Sequence, residues 1–275
     1  MAERTRAGRL LLAPLFMKSV RDKRKGILAW CLGTIGIIAV QMSVYPTIRD
    51  SSADWSSLVE TFPEAFQKIF RMSDYTSPAG YFSTELYSLV LPLIFITLGA
   101  TWGARLTCED EEAGTADILY TLPVTRDAIM ATRFLAATAV LGIVAVVTTA
   151  AMWTGCLILD LDLSVASLLA STGMLLMLGF FFLAMAGMLG AWRGHRSVSL
   201  GISLSFAIGA FVLYSLAPLV SAIDTINPWN PLQWTIGQQT LFDGLSLGYS
   251  VATLACAAAM TVAGFRFFRR RDIAG

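Results

Sequence analysis

The chain alternates between long apolar stretches and short charged segments. Six stretches contain no Asp, Glu, Lys or Arg, and a helix needs about 20 apolar residues to cross the hydrocarbon core of a membrane. They are residues 26–48, 86–104, 134–159, 163–192, 197–223 and 245–265. This pattern predicts an all-α polytopic membrane protein with six transmembrane helices.

The charged segments between these stretches predict the orientation of the chain. With the N-terminus inside, the inner segments hold 17 of the 20 basic residues, against three in the outer segments. Because cytoplasmic loops are enriched in Lys and Arg, both termini are predicted to be cytoplasmic. The inner segments are residues 1–25, 105–133, 193–196 and 266–275.

The composition excludes a soluble domain. Hydrophobic residues make up 56% of the 275 residues and charged residues only 14%, and the mean hydropathy is +0.65. A soluble domain averages about 25% charged residues, and this chain has too few to cover a water-facing surface. Residues 1–275 are therefore predicted to form a single transmembrane domain.

The sequence offers little material for catalysis or metal binding. The four cysteines lie far apart without a CxxC pair, and a single histidine excludes an HExxH zinc motif. That histidine, His195, lies in the basic inner segment 193–196. We expect no catalytic residue, metal site or bound cofactor in this chain, and no nucleic-acid partner.

Small residues recur every fourth position along the fifth predicted span. This spacing lets helix backbones approach closely and predicts a packing face, although glycine and serine are common in membrane helices generally. Ala186 and Gly190 form a weaker pair on the fourth span, and Pro92 is expected to kink the second. The packing face on the fifth span consists of Ser197, Gly201, Ser205 and Gly209.

Two segments flank the first span. Residues 10–25 combine an apolar with a basic face, which predicts an amphipathic entry helix in the inner headgroup region; the alternative is a plain positive-inside anchor. The outer segment 49–80 carries apolar residues at helical spacing, interrupted by Pro63. Its last part, 73–80, contains Pro78 and Gly80 and is expected to be a turn.

The inner segment 105–133 carries the most information. Thr115 is a good N-cap and Asp117 suits the first turn of a helix. That short helix ends at Pro123, and Thr125 is expected to cap the next helix, which continues into the third span. The exposed apolar residues of the short helix are Ile118, Leu119 and Leu122.

A short helix with exposed apolar residues at the inner membrane face is suited to docking a partner. Six acidic residues against three basic ones in this segment favour a basic groove on that partner. The alternative is an acidic cytoplasmic hairpin without a partner.

This segment resembles the one between the second and third spans of ABC-2 type transporter permeases, which have the type V fold. The family pattern is an acidic run, Gly-Thr, an acidic residue two positions on, a hydrophobic stretch and Pro-Val-Ser/Thr-Arg. The matching residues here are Glu112, Gly114, Thr115, Asp117, Leu119, Pro123, Val124, Thr125 and Arg126. Ala113 departs from the pattern, since a charged residue is common there.

Weaker similarity extends over the rest of the chain. Residues 16–30 are similar to the basic entry helix of the family. Residues 62–66 and 76–81 look like the outer loop of a bacterial exporter branch.

The resemblance implies a permease subunit of an ATP-driven exporter in the bacterial inner membrane. Such permeases act as homodimers or paralogous heterodimers among membrane lipids and export drugs, antibiotics or lipid-like cargo. Each protomer binds a cytoplasmic ABC ATPase through a coupling helix. Here that element would include Glu112, Gly114, Thr115, Asp117, Leu119, Leu122, Pro123 and Arg126.

The ATPase itself is not encoded in these residues. A Walker A loop requires Gly-Lys-Ser/Thr, and none of the four lysines lies in such a sequence. ATP and Mg²⁺ are therefore expected on a partner subunit.

The competing function is a secondary, ion-coupled transporter. Coupling to an ion gradient usually needs ionisable residues inside the spans. Glu85, just before the second predicted span, is the nearest candidate; we interpret it as an interfacial residue solvated by headgroups, with a place at the outer mouth of a pathway as the alternative. Trp229 and Trp234 are interpreted as an interfacial aromatic belt, with cargo contact as the alternative.

Overall fold

A computed structural model describes residues 13–51, 61–62, 74–112, 114 and 124–271. These residues form six long helices preceded by one short helix, and none of the described residues lies in a strand. All six long helices are long and apolar enough to cross a membrane. The predicted fold class is therefore confirmed.

The helices are numbered in chain order. The short helix α1 covers residues 13–21, and α3 includes the π-helical stretch Ser83–Val90. The six spans are α2 (Arg24–Asp50), α3 (78–112), α4 (Arg126–Leu159), α5 (Val165–Arg193), α6 (Arg196–Leu216) and α7 (Leu247–Arg270). Between α6 and α7 the chain forms single turns at Ser221–Ile226, Asn227–Trp229, Pro231–Trp234, Ile236–Gln238 and Thr240–Asp243.

The second long helix begins before the predicted second span. Residues 74–77 form the expected turn, and α3 begins at Pro78, where the ring suits the first helical position. Ser77 caps it, because its Oγ accepts the N–H of Gly80 at 3.0 Å. Farther along, the N–H of Leu91 bonds to the carbonyl of Leu86, so a π-helical stretch precedes Pro92.

Two other boundaries also differ from the prediction. The fifth span ends at Leu216 rather than residue 223, since Pro218 cannot continue the helical hydrogen bonding. The entry helix ends at residue 21 and a turn at Asp22 and Lys23 separates it from α2. Most of the predicted outer amphipathic helix lies outside the described residues.

Helices α3 and α5 form the centre of the bundle. In their apolar windows 67% and 78% of residues are buried, against 28% or less for α2, α6 and α7. Glycines allow the two helices to approach closely. A Cβ on Gly99 would lie 2.1 Å from the carbonyl oxygen of Gly179, and one on Gly103 would lie 2.4 Å from that of Leu183. Gly190, of the weaker predicted pair, also faces α3, since a Cβ there would lie 3.2 Å from Thr107 Oγ1.

The predicted packing face on α6 does not pack against the described residues of the protomer. Its four residues, Ser197, Gly201, Ser205 and Gly209, are exposed. A Cβ on Gly201 or Gly209 would meet no described atom within 4 Å. The neighbouring face, with Ser199, Ser203, Ala207 and Ala210, is buried instead.

Candidate functional site

The charged ends of the helices meet at one end of the bundle, here called the basic face. It comprises residues 13–25, 105–112, 124–133, 193–196 and 266–271. The segment that sequence analysis assigned to docking begins and ends on this face. The described contacts around it join the turn before α2 to α3, and they join α4, α5, α6 and α7.

Part of the predicted docking segment is described. Glu112 ends α3, and Gly114 has φ +66°, a left-handed conformation that favours glycine. A Cβ on Gly114 would meet no described atom within 4 Å, so backbone conformation rather than space favours glycine there. Thr115, Asp117, Leu119, Leu122 and Pro123 lie outside the described residues, so their placement stays a prediction.

The acidic run at the end of α3 is tied to two other elements. Glu109 forms an ion pair with Lys23, in the turn between α1 and α2. Glu112 Oε1 accepts the backbone N–H of Arg196 at 3.2 Å, at the start of α6. Before the docking segment, the chain is thus held to both the entry turn and the α5–α6 turn.

The Lys23–Glu109 pair lies partly out of water. Burial lowers the pKa of the Lys23 ammonium below its ordinary value, although the hydrogen bond to Glu109 and its negative charge act in the opposite direction. The ammonium also lies 5.7 Å from the centre of the Trp102 ring.

After the docking segment the chain is fixed again, at the start of α4. Thr125 Oγ1 accepts the N–H of Ala128 at 3.2 Å, which confirms the predicted cap of the helix entering the third span. Arg126 Nη1 donates to the carbonyl oxygen of Arg271 at 2.8 Å. Asp127 pairs with Arg269, with Nη2 and Oδ2 2.6 Å apart. The start of α4 is thereby held to the end of α7.

The end of α7 is in turn held to the α5–α6 turn. Arg271 Nη1 donates to the carbonyl oxygen of Gly190 at 3.2 Å. Gly194 caps α5 with φ +74°, and a Cβ there would lie 2.6 Å from Arg271 Nη2. Both flanks of the docking segment therefore connect to the same turn, through Glu112 on one side and Arg271 on the other. Sequence analysis missed these contacts, because no local pattern marks them.

The candidate pathway residue Glu85 lies toward the opposite face. Because α3 starts early, Glu85 is part of its π-helical stretch rather than preceding the span. Its carboxylate accepts hydrogen bonds from Tyr75 Oη at 2.7 Å and Gln41 Nε2 at 3.4 Å. Tyr81 Oη donates to Gln41 Oε1 at 2.9 Å. Burial raises the pKa of Tyr75, helped by the hydrogen bond to Glu85 and its charge, so Tyr75 stays a donor.

The tryptophans of the predicted aromatic belt follow α6. Trp229 is 79% exposed, and Trp234 Nε1 donates to the carbonyl oxygen of Pro228 at 2.6 Å. Asn230 Nδ2 donates to the carbonyl oxygen of Ala210 at 2.8 Å, which holds this segment against the end of α6.

Within the described ranges no three His, Cys, Asp or Glu side chains are grouped to hold a metal ion. No curated protein matches the chain. A family model does match: that of the ABC-2 family transporter protein, over residues 13–273.

Proposed function

Because the chain belongs to the ABC-2 transporter family, we propose that it is the permease of an ATP-driven exporter whose separate ATPase docks on the basic face. The family and the six apolar helices make it a multi-pass transmembrane subunit of an ABC transporter. The proposal adds that the basic face is cytoplasmic and that the protein lies in a bacterial inner membrane. It also adds that the protein exports drugs, antibiotics or lipid-like cargo and docks an ATPase.

The contacts on both flanks of the docking segment carry this proposal. A coupling element has to transmit a push from a partner to the spans, which requires firm attachment at both ends. Glu112 binds the backbone of Arg196 before the segment, and Arg126 binds the backbone of Arg271 after it. A displacement of residues 113–125 would therefore act on α3, α4, α6 and α7 together.

The lack of a Walker A loop in this sequence supports a separate ATPase. None of the four lysines lies in a Walker A loop, so ATP and Mg²⁺ would bind to the partner subunit. The rival source is an ion gradient acting through Glu85, which is hydrogen-bonded to Tyr75 and Gln41. Under the proposal, transport by the Glu85→Gln variant should still require ATP. Collapse of the ion gradients should not reduce it.

The exposed small residues of α6 support assembly with a second permease protomer. Gly201 and Gly209 offer positions without side chains that the described residues of the protomer do not cover. A second copy, or a paralogous permease, would bring another helix against this face at short range.

The test is co-purification of the permease with an ABC ATPase subunit from the same genome, followed by an efflux assay. Leu119→Asp places a charge in the proposed apolar contact, and we expect it to abolish both association and efflux. Leu119→Ile is the matched control, which should retain both. If Leu119→Asp leaves both intact, this segment does not dock the ATPase.

A further inference from the structure

A cleft on the basic face lies beside the Lys23–Glu109 pair, between α1, the end of α3 and the start of α4. Its volume is about 240 Å³, whereas one water molecule needs about 10–15 Å³. The side chains around it are mostly polar, with an aromatic ring on one side. The charged lining residues are Lys18, Asp22, Lys23, Arg105, Glu109 and Arg133.

Cations outnumber carboxylates around the cleft by four to two. One carboxylate, that of Glu109, is already paired with Lys23. Arg133 Nη1 donates to the carbonyl oxygen of Leu106 at 3.1 Å, which fixes its guanidinium at the wall of the cleft. Even without Arg133, Lys18 and Arg105 remain against the single carboxylate of Asp22, so the cleft keeps a net positive charge.

Arg105 is the cation that its surroundings satisfy least. Its Nε is buried and has no hydrogen-bond acceptor among the described residues. A buried unpaired donor costs about 1–3 kcal/mol, and more when the group is charged. The charge of Arg196, whose Nε is likewise buried without a described acceptor, repels Arg105, and the charge of Glu109 acts in the opposite direction. An anion bound here would supply the acceptor and reduce this repulsion.

The position of the cleft favours a lipid as the source of that anion. Arg105 directly follows the charge-free residues 86–104, at the depth where headgroups begin. Helix α1 borders the cleft with the partly buried Leu15. Basic pockets between transmembrane helices are typical binding sites for anionic headgroups.

We propose that this cleft binds the phosphate of an anionic phospholipid, with Arg105 as its main ligand and Lys18 completing the site. The guanidinium presents two N–H groups to one phosphate, and the ammonium of Lys18 contributes charge. Trp102 lines the same cleft, and its ring faces the ammonium of Lys23. Bound lipid would hold α1 against α3 and α4.

The test measures lipid binding to the purified permease by native mass spectrometry and by the thermal unfolding midpoint. The probes are phosphatidylglycerol, phosphatidylcholine and inorganic phosphate. We expect phosphatidylglycerol to bind at least tenfold more tightly than phosphatidylcholine and to raise the midpoint by several degrees. Inorganic phosphate at the same concentration should raise it little, because it lacks the acyl chains.

Variants locate the site. Arg105→Gln should weaken phosphatidylglycerol binding about tenfold. Arg105→Lys should retain part of the wild-type affinity. Lys18 is exposed, so Lys18→Gln should fold normally and weaken binding severalfold. Lys25→Gln is the matched control, since Lys25 is an exposed cation of the same face that does not line the cleft.

Three results would overturn the proposal. One is equal binding of phosphatidylcholine, and another is a response to inorganic phosphate as strong as that to phosphatidylglycerol. The third is an equal loss in Lys18→Gln and Lys25→Gln, which would mean that only the total charge of the basic face matters.

Discussion

Gly99 on α3 lies directly against the backbone of Gly179 on α5: a Cβ on Gly99 would be 2.1 Å from the carbonyl oxygen of Gly179. Backbone atoms cannot move aside as a flexible side chain can. Gly99→Ala should therefore push the two central helices apart and destabilise the fold by about 1–3 kcal/mol. Thermal unfolding of the purified protein measures this effect.

The control for that substitution is Gly201→Ala on α6. A Cβ there would meet no described atom and alanine favours a helix, so the isolated protomer should unfold at the wild-type temperature or slightly above it. Equal destabilisation by both substitutions would contradict the close α3–α5 packing.

The second prediction concerns the exposed face of α6. Gly201→Leu or Gly209→Leu should reduce assembly of the permease, because a large side chain blocks close approach of another helix. Folding of the protomer should survive, since neither glycine packs against a described residue. Cross-linking in membranes reports the assembly, with Leu213→Ile as the mild control. Unchanged cross-linking in both glycine variants would mean that this face contacts lipid.

The third prediction uses the Lys23–Glu109 pair. Glu109→Gln removes the group that raises the pKa of Lys23, so this pKa should fall further below its ordinary value of 10.5. Since Glu109 is 45% exposed, we expect a loss of stability of only about 1 kcal/mol near pH 7.

The sign of the pH dependence follows from the lowered pKa. The folded state disfavours the charged form of Lys23, and this lowers the free energy of unfolding at low pH. The loss disappears as pH rises toward 10.5, because Lys23 is then neutral in the folded state. Unfolding curves of the wild type and Glu109→Gln should therefore converge at alkaline pH. A difference that grows with pH would contradict this account of the pair.

Sequence analysis predicted the parts of the fold that local patterns determine. It found the six spans, the cap at Thr125 and the short inner segment 193–196, since each depends on neighbouring residues. It misplaced the start of α3, because Pro78 suits both a turn and the first position of a helix. The Gly99–Gly103 pair shows the spacing of close packing but was overlooked in favour of the longer series on α6.

The contacts that organise the basic face were beyond local patterns. Arg126 and Arg271 are 145 positions apart, and Glu112 and Arg196 are 84 apart. Charged residues near the ends of transmembrane helices are expected in any such protein, so their presence does not predict their partners. The packing of the spans determines which groups pair. Only the assembled bundle reveals which backbone groups they bind.

Topology is the fourth prediction. The distribution of basic residues predicts that the basic face is cytoplasmic. A reporter fused after Gly275 should be active only in the cytoplasm, and a cysteine engineered at Ser73 should react only with reagents added outside. Labelling of that cysteine from the cytoplasmic side would reverse the orientation.

The central claim is that a separate ATPase docks on residues 115–122. A photo-reactive amino acid at position 119, in place of Leu119, tests it most directly in intact membranes. Illumination should give an adduct with the mass of one permease plus one ATPase subunit, and the same substitution at Phe62, outside the basic face, should give none. An adduct absent at position 119, or equally abundant at position 62, would contradict the docking of the ATPase on this segment.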